Sequence, residues 1–165
     1  MEETGIDLAT FQRQAAVRFN NRAWELWELD APDRAQREEM IHAAHAAFLH
    51  WSEIGKPIHR LRAWMTLAYA HLRGGSVDLA GEYLQRAEEL LATKPEDLQD
   101  WDEPFLLDAR SRLHDARGEE VEAIEFRRQA EEAGAKIVDE GDREQYFATS
   151  GRHQGSGSSD TTAEA

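Results

Sequence analysis

The chain has no cysteine. That absence removes disulfides, thiolate zinc sites and cysteine nucleophiles together. Prolines number four and mostly mark segment junctions, so long helices are permitted. No run approaches the roughly eighteen apolar residues of a membrane span. The opening MEETGIDLATFQ is acidic and has no apolar stretch of the secretory-signal kind. Alternating Val/Ile/Thr segments are missing, so no strand is predicted. Catalytic signatures are thin too. Ser52, Thr66 and Ser76 lie near histidines in sequence, but no strand–turn–helix context presents them. Gly74-Gly75-Ser76 reads as a link between helices, not a phosphate loop. No catalytic residue, cofactor or resident metal is expected.

What remains is a helix-former's composition. Hydrophobic residues make up 41% of 165 and charged residues 32%, enough for one domain with a real core. The net charge is −14 and lopsided: residues 1–75 carry a net −1 and residues 76–165 a net −13. An acidic half repels phosphate backbones, so nucleic acid is not an expected partner. The charge serves solubility, or it faces a partner with a basic surface. The setting expected is cytoplasmic, with no membrane contact.

Ala, Leu, Glu, Arg and Gln dominate, and apolar residues recur at three and four. The spacing predicts helices over about residues 7–29, 33–54, 58–72, 76–93, 104–116 and 119–133, with a short one over 142–148. Together they form a single all-α domain over residues 1–149. Asp30-Ala31-Pro32 and Gly55-Lys56-Pro57 break the pattern. Ser76 is placed to cap the fourth helix. A wet connector, Lys94 to Pro104, precedes the fifth. The tail, 150–165, has too few apolar groups to fold and is expected to be disordered.

A shift of 43 residues lays the third and fourth helices on the fifth and sixth. His71 then meets His114, Gly75 meets Gly118, Ala80 meets Ala123 and Ala87 meets Ala130. Trp64 meets Leu107. Small residues let paired helices approach, glycine turns the chain, and the large apolar residue fills the gap. Trp64, Leu67, Ala68, His71, Gly75, Ala80, Leu84 and Ala87 resemble a tetratricopeptide repeat. His71 stands where that family has Tyr and Leu84 where it has an aromatic residue. The second unit keeps Leu107, Ser111, His114, Gly118, Ala123 and Ala130, but Arg110 and Arg127 occupy apolar positions. The resemblance covers about residues 61–133. NNRAWEL, HAAHAAFLHW, GKPIHRLRAW and DEGDREQYF also look like a group of small bacterial tetratricopeptide-like proteins, which implies a bacterial cytosolic setting and no chemistry.

The resemblance implies antiparallel helical hairpins stacked as a short right-handed superhelix. It also implies that the first helix of each hairpin lines a concave face. That register brings Arg62, Met65, Thr66, Tyr69 and Arg73 inward from the third helix, and Phe105, Asp108, Arg112 and Asp115 from the fifth. A groove of Arg62, Thr66, Tyr69, Arg73, Phe105, Asp108 and Arg112 would hold a peptide or protein. The three arginines could grip a carboxylate or phosphate, or these side chains could pair among themselves and with the connector's acids.

Histidines cluster at His42, His45 and His50. On a helical wheel His42 and His45 share a side, while His50 points elsewhere. Glu39-x-x-His42 matches a carboxylate–histidine motif in letters. A dinuclear site needs that motif on a second helix, and none precedes His59, His71 or His114. The favoured role for His45 is at a core edge, donating to a carbonyl or carboxylate. A polar ligand pocket, or a helical enzyme built on these three, is the alternative. Trp24, Trp27 and Trp64 read as packing residues, although Trp24 and Trp27 buried between chains would make a homo-oligomer subunit. Trp101, among acids, either tucks onto helix ends or anchors a partner.

Overall fold

The computed structural model describes residues 7–152. Among these residues there are seven helices and no strand: α1 (Leu8–Trp27), α2 (Arg34–Ile54), α3 (Pro57–Arg73), α4 (Val77–Ala92), α5 (Asp102–Ala116), α6 (Glu120–Gly134) and α7 (Glu140–Ser150). None of them is long and apolar enough to cross a membrane.

Local chemistry sets several of these ends. Asp33 and Gln36 form a reciprocal capping box at the start of α2. Asp7 and Asp139 each accept a backbone N–H in the first turn, from Thr10 at 3.1 Å and from Asp142 at 2.9 Å. Ser76 takes the N-cap position of α4, but its hydroxyl makes no cap bond. Its backbone N–H instead closes the preceding turn. α7 is longer than the sequence suggested, and Ser150 ends it as a buried residue rather than opening a tail. The rest of the predicted tail, 153–165, lies outside the described residues.

The helices pack as consecutive pairs: α1 with α2, α3 with α4, and α5 with α6. The 43-residue correspondence is visible in the turns. Gly75 and Gly118 both adopt left-handed backbone, φ 81° and 76°, the conformation that favours glycine after a helix. Ser76 N–H donates to the His71 carbonyl at 2.9 Å, and Glu119 N–H to the His114 carbonyl at 2.9 Å. The likeness extends to side chains. His71 stacks on Tyr83 (5.4 Å between centroids) and His114 on Phe126 (5.1 Å). Ala80, Ala87, Ala123 and Ala130, at most 2% exposed, sit where the paired helices need close approach.

α3 is the central element, touching α1, α2, α4 and α5. Ile58, Leu61, Leu67, Ala68, Tyr69 and Ala70 are all buried on it. Trp27 and Leu26 of α1, Met40 of α2, Leu84 of α4, and Leu106 and Leu113 of α5 complete the same core. Trp64 is half-buried and stacks on Phe48. α7 folds back onto α5 and α6.

Candidate functional site

Four of the seven groove residues are organised by two buried aspartates: Tyr69 and Arg112 around Asp108, itself of the groove, and Arg62 on Asp102. Asp108 of α5 is 2% exposed. It accepts the Tyr69 hydroxyl at 2.6 Å and the Arg112 Nε–H at 2.7 Å. Burial, then the negative charge of Asp108, push the Tyr69 hydroxyl well above its ordinary pKa, so it remains a donor. Arg112 also donates to the Ser150 carbonyl at 2.8 Å and the Arg152 carbonyl at 2.9 Å. Its guanidinium lies 5.1 Å from the Trp27 ring centroid. α3, α5 and the end of α7 are thereby tied at one point.

Asp102, in the first turn of α5, is fully buried. Arg62 of α3 meets it with two parallel bonds, 2.8 and 2.9 Å, and the Gln99 N–H adds a third at 2.8 Å. Trp101 completes this group. The Arg62 guanidinium lies 4.2 Å from its ring centroid, so this tryptophan is tucked onto the helix, half-buried. Arg73 turns away and donates to the Leu29 and Asp30 carbonyls at 2.7 and 3.0 Å, in the link between α1 and α2. Arg62, Arg73 and Arg112 thus each have internal partners, and no cluster of three free guanidiniums forms. Tyr69, Asp108 and Thr66 are buried, not solvent-facing.

The histidines separate. His42 is exposed. His50 hydrogen-bonds the Gln12 side chain and stacks on Phe19 at 5.9 Å. His45 reaches across to α3, where its Nε2 lies 3.1 Å from Nε2 of His71. The favoured partner for His45 was a carbonyl or carboxylate; the structure supplies another imidazole. The expected pocket of His42, His45 and His50 does not converge on one point. Among the described residues no three His, Asp or Glu side chains gather as metal ligands would.

The His45–His71 pair has a pH consequence. Between the two Nε2 atoms one ring donates and the other accepts when both are neutral, whereas two protonated rings would repel. Burial, then the charge of His42, lower the pKa of His45; burial, then the charge of His45, lower that of His71. The unfolded rings bind protons near pH ~6.5. As pH falls below that value the unfolded state takes up more protons than the folded one, so this stability is full above it and lost below it. Thermal unfolding should therefore occur at lower temperature at pH 5.5 than at pH 7. His71→Tyr should flatten that slope. An equal slope in both proteins would assign it to other groups.

What does converge is a cavity of about 260 Å³ between α1, α3, α5 and α7. Asn20, Trp24 and Glu28 line it from α1, Arg62, Met65 and Thr66 from α3, Trp101 and Phe105 from the start of α5, and Gln145 and Thr149 from α7. Arg62, Thr66 and Phe105 belong to the predicted groove. Trp24, Glu28, Gln145 and Thr149 do not, because the two terminal helices lie outside the repeat pattern. The Thr66 hydroxyl lies 3.2 Å from the Asn20 side-chain oxygen of α1 and 3.0 Å from the Arg62 carbonyl of its own helix, two acceptors that share its one proton. Trp27, by contrast, is 3% exposed and packed inside this chain against Tyr69.

No family model, no curated protein and no solved structure matches the chain.

Proposed function

We propose that the chain is a non-enzymatic binding module, a short right-handed stack of tetratricopeptide-like hairpins, that holds a peptide or protein segment in this cavity. The observation that supports it is the composition of the walls. The first helix of each hairpin (α1, α3 and α5) contributes to one concave site, and α7 adds a fourth side. The lining combines Trp24, Trp101, Phe105 and Met65 with the amides and hydroxyls of Asn20, Gln145, Thr66 and Thr149. Apolar walls with a few placed polar groups are the usual chemistry of a ligand site. Aromatic side chains are also the usual anchors of protein recognition.

The test is selection from a random twelve-residue peptide library on immobilised protein. Gln145→Trp is the control, because Gln145 is exposed yet lines the cavity, and an indole there fills it without entering the core. Enriched peptides should bind the parent at least about tenfold more tightly than the filled variant, a difference of about 1.4 kcal/mol. Peptides held equally by both would place binding elsewhere, and no enrichment at all would remove the reading.

A further inference from the structure

We propose that the cavity receives a cationic side chain, a lysine ammonium or an arginine guanidinium of the partner, between Trp24, Trp101 and Phe105 with Glu28 as counter-charge. This rests on the binding-module reading and names the chemistry that the module selects.

Three rings at different inclinations border the space. Trp24 and Phe105 lie 6.1 Å apart at 57°, and Trp101 and Phe105 lie 6.3 Å apart at 83°. Such rings make walls rather than a stack, and each face carries the negative side of its quadrupole. The chain itself shows that one of them takes a cation: the Arg62 guanidinium lies over Trp101 at 4.2 Å.

Charge decides between possible guests. Arg62 is the cation in the lining, and Asp102 already neutralises it through two hydrogen bonds. Glu28 stands at the mouth, exposed. Among the described residues its carboxylate makes no ion pair, while its backbone N–H donates to the Trp24 carbonyl and its carbonyl accepts from Arg152. With Arg62 paired to Asp102 behind the wall, Glu28 is the one charge of the lining left without an ion pair among the described residues, and the Arg152 guanidinium at its backbone carbonyl stands outside the lining. An anionic guest would meet Glu28 with no free cation in the lining to offset it. A neutral apolar guest would gain the rings but leave Glu28 without a partner. A cation satisfies both. The net charge of −14 favours encounter with a cationic guest. A volume of about 260 Å³ suits one long side chain rather than a larger ligand.

The test uses three small probes: the N-acetyl methylamides of lysine, norleucine and glutamate. Binding is followed by the NMR shifts of the indole N–H groups of Trp24 and Trp101. The lysine probe should bind about tenfold more tightly than norleucine, and the glutamate probe weakest. Glu28→Gln, whose side chain touches no structural partner, should remove most of the lysine advantage while leaving norleucine unchanged. Norleucine equal to lysine, glutamate tighter than either, or no probe shifting the indoles would overturn the proposal. The two readings separate cleanly. Library peptides that are lost on filling the cavity yet carry no basic residue would sink the cation and keep the module. Lysine selectivity with no retained peptide would keep the cation site and sink the peptide module.

Discussion

Asp108→Ala should destabilise the fold by about 3–5 kcal/mol, the range for removing one member of a buried ion pair. Two groups lose a partner at once. The Arg112 side chain, only 11% exposed, loses its counter-charge. The Tyr69 hydroxyl, with the Phe105 carbonyl at 3.0 Å as its other neighbour, loses its shorter bond. Asp102→Ala should cost less, about 1–3 kcal/mol, because the Arg62 side chain is 28% exposed and water can reach it. Burial of the stranded cation, not the count of hydrogen bonds, sets that order. Denaturant unfolding of both variants measures it. The double variant Asp108→Leu with Arg112→Met should recover much of the loss, since an apolar pair of similar size avoids the uncompensated charge. If the double variant is as unstable as Asp108→Ala, the cost lies in lost packing and not in the stranded guanidinium.

The sequence carried the part of the architecture that repeats locally. His71 with Gly75, and His114 with Gly118, mark the same turn twice because a left-handed glycine two residues before the next helix is a local requirement, readable in one segment. The extension to Tyr83 and Phe126 was readable by the same shift of 43 residues. Arg110, at an apolar position of the repeat, is explained only in three dimensions: it pairs with Glu88 of α4. The site was less legible for the same reason. Arg62 and Asp102 are 40 residues apart and Tyr69 and Asp108 are 39, and no helical periodicity encodes such pairings. The register brings Arg62, Thr66 and Phe105 to one face, and all three line the cavity. It could not show that Trp24 and Trp27 of α1 pack on Tyr69 or that α7 adds a wall to the cavity beside Trp24, since neither helix obeys the repeat.

Gly134→Val should release α7 from the body of the protein, with a loss of about 3–5 kcal/mol, comparable to truncating a large buried aromatic residue. Gly134 ends α6 directly beneath the Tyr146 ring. A Cβ there would lie 2.6 Å from Tyr146 Cδ1 and closer still to Cε1, a contact that no small adjustment relieves. Tyr146 is 1% exposed and its hydroxyl donates to the Ala130 carbonyl at 3.0 Å, so the ring has nowhere to turn within the packed interface. Helix propensity works the other way, because glycine is a poorer helix residue than valine by a few tenths of a kcal/mol. That gain is too small to offset the ring. The expected signs are new protease cleavage in the 135–139 link and faster amide exchange confined to α7, with α3 still protected. The distinction matters for function. Gln145 and Thr149 leave the cavity with α7, while Trp24, Trp101, Phe105 and Glu28 stay, so a ligand held by the rings and the carboxylate should survive the loss of α7 with a reduced affinity. A ligand whose binding disappears together with α7 would instead owe its affinity to the amide and hydroxyl of that helix, and the aromatic walls would be only its frame.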